Sequence, residues 1–240
     1  VVGAAVATVL GYVVSTIIAL IQLFLTKQKV KPVFKNCLEP QMIKLIFSYG
    51  LPSFVMNALG AFTVNFANMF LVRYSDTAVA FFGAYFKVQQ LIFMTVNGLI
   101  QGCLPIMRFN YRAKEYGRLK QANKSGTIIA TVMMIVGMLL VLIFPKEILF
   151  LFSASEEMCA FGVPAMRIMS LGFVFSGFSA MIATYEQATD SIMPGVVVQL
   201  LRQGVLLVPV IWLLNSAVQM TGIWLAFPIT EFVTFLVAVV

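Results

Sequence analysis

Five charged side chains stand inside, or near the ends of, long apolar runs: Lys87, Arg167, Glu186, Arg202 and Glu231. A charge at the bilayer centre costs about 2.5–3.5 kcal/mol on insertion scales. Such residues therefore turn toward protein or water, find a partner, and mark solute or ion pathways. Arg167 follows closely on the acidic "SEE" and is long enough to snorkel outward. Glu186 lies near one end of its run. Lys87 and Arg202 lie deeper. Glu231 is the best candidate for a buried carboxylate. A pair with Arg202 would satisfy both charges without any transport role. Arg202, Glu231 and Glu186 are read together as an internal polar network.

Uncharged polar residues cluster as well. In "NALGAFTVNFANMF", Asn57, Asn65 and Asn68 fall near one helical face. The next run carries Gln89 and Gln90, and the spacing of Gln90, Asn97 and Gln101 again follows one face. Aligned amides serve either as hydrogen-bond glue between helices, worth about 0.6 kcal/mol each, or as the lining of a wet cavity. Both readings stay open for Asn57, Asn65, Asn68, Gln89 and Gln90. The "GLIQG" at 98–102 is a GxxxG, most simply a close-packing face.

Other chemistries find little support. The chain contains no histidine, which removes His-based triads and HExxH zinc sites. Cys37, Cys103 and Cys159 are far apart and give neither a disulfide framework nor a metal spacing. Scattered carboxylates make no catalytic cluster, so neither an enzyme nor a metal site or cofactor is expected. The basic stretch "PIMRFNYRAKEYGRLK" interleaves Arg and Lys with tyrosines, a mix that also occurs in nucleic-acid binders. Nucleic-acid binding would need a basic face on a soluble fold with its own core, and sixteen residues between two apolar runs cannot supply one.

The elements that must position these residues follow from composition. The 240 residues are 61% hydrophobic and only 10% charged, with a mean hydropathy of +0.98. Soluble domains are nearer 45–50% apolar and about 25% charged. Crossing the bilayer takes about 20 predominantly apolar residues. Seven segments qualify, at roughly 1–26, 41–72, 77–107, 121–145, 158–185, 192–214 and 219–240. Pro52, Pro105, Pro164, Pro209 and Pro228 fall within or beside them, as in interrupted transporter helices. The fold class is an all-α, polytopic membrane bundle with seven spanning helices.

Charge sets the orientation. The first loop holds Lys27, Lys29, Lys31, Lys35 and Lys44, and the third holds Arg108, Arg112, Lys114, Arg118, Lys120 and Lys124. The second and fourth are poor in Lys and Arg. By the positive-inside rule the first and third loops face the cytoplasm, where their charges meet anionic lipid. The first segment then runs out-to-in, and the sequence reads as a piece of a longer protein.

Six stretches in register now resemble one family: "SYGLPSFVMN", "TAVAFFGAYFKVQQLIF", "NGLIQGCLPIMRFNYRAKEYGRLK", "YEQATDSIMP", "LLRQGVLLVPVIWLL" and "GIWLAFPITEF". They look like the second half of a bacterial multidrug and toxic compound extrusion (MATE) transporter. The resemblance implies helix six at 1–26, a cytoplasmic interlobe linker at 27–40, and the second lobe, helices seven to twelve, at 41–240. It also implies a secondary active exporter in the bacterial inner membrane, exchanging cationic hydrophobic drugs for Na⁺ or H⁺ by alternating access. The expected partners are small cationic substrates, the bilayer and an N-terminal lobe. A lipid-linked oligosaccharide flippase of the related superfamily is the alternative.

Residue by residue, Gly50, Leu51, Pro52 and Asn68 match helix seven, and Lys87 and Gln89 match a Lys-x-Gln of helix eight. Arg202, Gln203 and Pro209 match helix eleven, and Trp224, Pro228 and Glu231 match helix twelve. On this reading Asn57, Asn65, Asn68, Lys87, Gln89 and Gln90 line the lobe's cavity, and a carboxylate neutralises Lys87. Two positions depart from the pattern. Arg112 stands where the family usually has Gly after Asn-Tyr, and Asp190 where it usually has a turn Gly. Both turns are therefore expected to be altered.

Overall fold

A computed structural model describes residues 2–25, 39–189 and 200–239. Residues 27–38 of the interlobe linker, with Cys37 among them, and Asp190 therefore lie outside the described residues. All regular structure among the described residues is helical. The chain divides into two units, residues 1–50 and residues 51–240. The first holds α1 (Val2–Leu25) and the opening turns of α2 (Pro40–Leu71). The span Ala5–Phe24 carries no charged residue and is long and apolar enough to cross a membrane.

The second unit continues with α3 (Asp76–Arg112), α4 (Tyr116–Ile143), the short α5 (Pro145–Leu151), α6 (Glu156–Ser170) and α7 (Phe173–Ala188). A π-helical turn (Leu201–Leu206) leads into α8 (Leu207–Val218), and α9 (Met220–Val239) follows. Among the described residues, five helical stretches are long and apolar enough to cross a membrane, and two shorter apolar helices, Ala58–Leu71 and Gly204–Val218, stand where two further segments are expected. The expected segment 158–185 is a broken helix, with α6 and α7 meeting at Leu171 and Gly172.

Helix starts follow local chemistry. Ser75 and Ser155 cap α3 and α6, their hydroxyls accepting from the N–H groups of Ala78 (3.0 Å) and Met158 (3.2 Å). Asp76, Glu156 and Glu157 then place negative charge in first turns, where the helix dipole favours it. Arg167 donates from Nε to the Leu142 carbonyl (3.3 Å) in the last turn of α4, an exposed position where a cation suits a helix C-terminus.

The turn between α3 and α4 answers one of the two departures. Arg112 stays helical, and the left-handed residue is Lys114, at φ 60°. The Glu115 N–H donates to the Asn110 carbonyl (2.9 Å) and the Lys114 N–H to that of Tyr111 (3.0 Å). This is a Schellman stop with lysine in the glycine position. A left-handed non-glycine residue costs roughly 1–2 kcal/mol. Lys114→Gly is therefore expected to stabilise the folded protein by about 1 kcal/mol, less glycine's larger chain entropy. A thermal melt of the purified protein reads the shift, and an unchanged or lower Tm contradicts it.

The core lies where α3 meets α6, α7 and α9. Phe81 and Phe82 on α3 pack against Trp224 on α9, with ring centroids 5.3 and 6.0 Å apart, and Tyr85 and Phe93 pack against Phe173 on α7 at 6.4 and 5.8 Å. The opposite faces of α3 and α4 leave Leu91, Met94, Phe109, Val132, Val136 and Leu140 exposed, an outside as apolar as the inside. The GxxxG expectation needs correction within the described residues. A methyl at Gly98 or Gly102 would meet nothing within 4 Å, so these glycines close-pack against no described neighbour.

Candidate functional site

Below the aromatic core, α3 changes character. Phe86, Lys87, Gln89, Gln90 and Phe93 line a cleft of about 340 Å³. The helix α9 answers with Phe227, Thr230 and Glu231, α2 with Gly60, Thr63 and Val64, and α8 with Leu207. Ligand sites of this kind run from about 300 to 1,000 Å³, mostly apolar with a few convergent polar groups. All of these residues belong to the second unit.

Two helices set the charges. Lys87 is exposed to the cleft from α3 and Glu231 reaches it half-buried from α9. Phe86 and Phe227, edge to face with centroids 6.2 Å apart, tie the two helices together beside them. Pro228 lies inside α9, less than one turn before Glu231. Having no N–H, it leaves the Trp224 carbonyl without its helical donor and loosens the backbone at this depth. The stem of Glu231 packs over the α6–α7 break. A methyl on Gly172 would stand 3.2 Å from both Glu231 Cγ and Pro228 Cα, so a glycine there lets α9 approach closely enough to aim the carboxylate. Buried Tyr85 on α3 lies within electrostatic reach of that carboxylate.

The polar groups of the cleft differ in how they are satisfied. Thr63 donates its hydroxyl to the Leu59 carbonyl of its own helix (2.9 Å). Thr230 Oγ1 is buried without a hydrogen-bond partner, where most buried polar atoms find one.

Of the residues singled out from the sequence, Lys87, Gln89, Gln90 and Glu231 come together here. Asn65 is exposed and donates from Nδ2 to the Ala61 carbonyl (2.9 Å), and Asn68 is half-buried with Oδ1 unpartnered. Neither is among the residues lining this cleft, and neither is Glu186, whose Oε2 is buried without a hydrogen-bond partner near the end of α7. The side chains of Asn57 and Arg202 lie outside those described, so the Arg202–Glu231 pair does too. Thr63 stands in the same polar stretch as those asparagines, whereas Thr230, Gly172 and the three phenylalanines of the cleft were not singled out. In a chain with 22 Phe they carry no signal at the sequence level.

An all-helical bundle with apolar outer faces and a solute-sized cleft between its helices defines a polytopic helical membrane protein. The family model MatE matches residues 52–213, and the chain belongs to that family. It is accordingly a multi-pass protein of the bacterial cytoplasmic membrane. It is 26% identical over 233 residues to a multidrug export protein MepA of Staphylococcus aureus, covering 96% of this chain and 51% of that protein. The MepA of Staphylococcus saprophyticus is 26% identical over 242 residues, at 99% and 52% coverage. The chain thus spans about half the length of the curated relatives it matches. Among solved structures, it superposes on an outward-facing multidrug resistance MATE transporter of the MOP superfamily with a TM-score of 0.85 at 20% identity, covering 98% of this chain and 54% of the other. A MOP superfamily transporter from Pyrococcus furiosus matches at the same score, identity and coverage. At that identity the likeness is one of fold.

Proposed function

We propose that this chain forms part of a secondary active multidrug exporter, with residues 41–240 contributing one of two lobes that alternate access to a central site. Inward movement of H⁺ or Na⁺ drives the export of hydrophobic organic cations. One observation carries the reading: Glu231 and Lys87 line the same aromatic-walled cleft. A carboxylate in such a cleft attracts a cation, and phenyl rings suit a flat apolar body. The similar proteins named multidrug export proteins support the direction and the substrate class. Asn57, Asn65, Asn68, Gln89 and Gln90 are proposed to complete the wet surface of the lobe, with Arg202 and Glu186 in an internal network. A flippase cleft holding pyrophosphate would need clustered cations, and the described lining here holds one lysine and one carboxylate.

The test uses the full-length protein in lipid vesicles. Ethidium efflux is followed under a separately imposed H⁺ or Na⁺ gradient. Efflux driven by at least one of the two gradients is expected. A fully active preparation that moves ethidium under neither would sink the exporter reading.

A further inference from the structure

The short helix α5 presents two large apolar side chains that neither the core nor the cleft uses. We propose, independently of the exporter reading, that α5 is an interfacial helix. Its Phe150 and Leu151 insert into the outer leaflet of the bilayer, at the boundary between headgroups and acyl chains.

In "PKEILFL", Pro145, Ile148 and Leu149, with Phe152 just past the end, recur at helical spacing and turn inward onto the core. Lys146 and Glu147 in the first turn and Phe150 and Leu151 in the last remain outside. Leu151 is 84% exposed and Phe150 66%. A loose loop could fold such a pair back onto the protein, but α5 is stopped firmly. Ser153, at φ 55°, closes a Schellman turn. The Ala154 N–H donates to the Leu149 carbonyl (3.3 Å) and the Ser153 N–H to that of Phe150 (3.0 Å). Two residues further on, Ser155 already caps α6. The apolar pair is therefore held outward by the backbone on both sides of it.

Depth and continuity say what covers it. On the inward face, Leu149 packs at the level of Gly162 and Phe81. A methyl on Gly162 would stand 3.2 Å from Leu149 Cδ1 and 2.8 Å from Phe81 Cδ2. Gly162 lies six residues into α6 from Glu156, and Phe81 five residues into α3 from Asp76. At 1.5 Å per residue, α5 sits about 7–9 Å inward of those charged helix starts. Interfacial helices bury their apolar face about 5–10 Å into the headgroup and acyl boundary. The outer face of α4 leads to the same place. Val136, Leu140 and Ile143 are exposed along it, Phe144 continues it, and Pro145 opens α5. This connection stands at the opposite end of α4 from the Lys- and Arg-rich α3–α4 turn, which places it at the outer leaflet. Lys146 and Glu147 offset each other, so the contact offers apolar burial rather than attraction to anionic lipid.

Spin labels read the depth directly. Phe150→Cys and Leu151→Cys are made in the full-length protein with its native cysteines replaced, labelled, and placed in phosphatidylcholine vesicles. Val136→Cys serves as the acyl-chain reference and Glu157→Cys as the water reference, both being exposed positions. Collisions with oxygen, which concentrates among acyl chains, are compared with collisions with a water-soluble nickel chelate. Labels at 150 and 151 are expected to lie between the two references, about 5–10 Å below the phosphates. The depth should stay the same when phosphatidylglycerol is added. Nickel access equal to that at 157 would overturn the inference by putting α5 in water. Shielding from both reagents would do so by showing a protein cover, either the rest of the transporter or a second copy. A depth reached only with phosphatidylglycerol would make charge, not apolar insertion, the cause. Leu151→Trp, which leaves the cysteines alone, decides the matter if the labelled proteins do not fold. In vesicles of lipid brominated just below the headgroup its added fluorescence should be quenched, and unquenched emission overturns the inference.

Discussion

Glu231→Gln in the full-length protein is expected to cut drug export at least roughly 30-fold, with the fold intact. The substitution keeps the shape of the side chain and removes its charge. A matched charge contact to a bound cation is worth about 2 kcal/mol, and Lys87, which lines the same cleft, would repel a cationic group once the carboxylate is gone. The stem of Glu231 also packs over Gly172, and the amide preserves that contact, so a folding defect is not the expected route to lost activity. Efflux from vesicles gives the rate, and the thermal midpoint of the same preparation checks the fold. Glu231→Asp retains the charge on a shorter stem and should fall between the two. Wild-type efflux by Glu231→Gln would remove the carboxylate from the mechanism.

How much of this was legible in the sequence depends on the physical signal each residue carries. Spanning segments are legible because the bilayer demands length and apolarity, and the charge-free runs meet both demands. The break between α6 and α7 is less so. Pro164 lies inside α6, while the chain turns at Leu171 and Gly172, where packing against α9 decides the geometry. The cleft was legible only through its expensive groups. Lys87 and Glu231 stand out because ionised side chains in apolar runs require a reason, and Gln89 and Gln90 come with Lys87. Thr230 and Phe227 are ordinary in such a chain and become part of a site only through the approach of α3 to α9. The asparagines of α2 show the limit of spacing arguments. Eight residues overshoot two helical turns by about 80°, so Asn65 is rotated well away from Asn57, and its amide bonds the helix's own Ala61 carbonyl. The departure at Arg112 shows another limit. A helix stop is fixed by the carbonyls it must satisfy, and two more residues of helix put Lys114 in the left-handed position.

The largest structural effect is expected at Gly222. The helices α8 and α9 are joined through Gln219, at φ 53°, with no loop between them. The Gln219 N–H donates to the Asn215 carbonyl (3.1 Å) and the Gly222 N–H to the Gln219 carbonyl (2.9 Å), so the first turn of α9 lies directly on the last turn of α8. A methyl on Gly222 would run into the Leu214 carbonyl group and stand 2.9 Å from the Asn215 nitrogen. These are backbone atoms of a neighbouring helix and cannot rotate away as a side chain tip would. Overpacking of this kind costs about 1–3 kcal/mol where neighbours yield, and more is expected where only a whole helix can move. Gly222→Ala should therefore destabilise the protein by about 3 kcal/mol or more, or prevent its accumulation. The displaced helix would carry Trp224, Phe227, Thr230 and Glu231 with it, so any protein that folds should also lose export. Gly83→Ala is the matched control, because a methyl there meets nothing within 4 Å. It should be neutral or gain up to about 1 kcal/mol from the higher helix propensity of alanine. Thermal unfolding and size-exclusion elution of the two variants side by side decide the matter: a Gly222→Ala protein that melts with Gly83→Ala would mean that the α8–α9 junction is not packed as tightly as this structure has it.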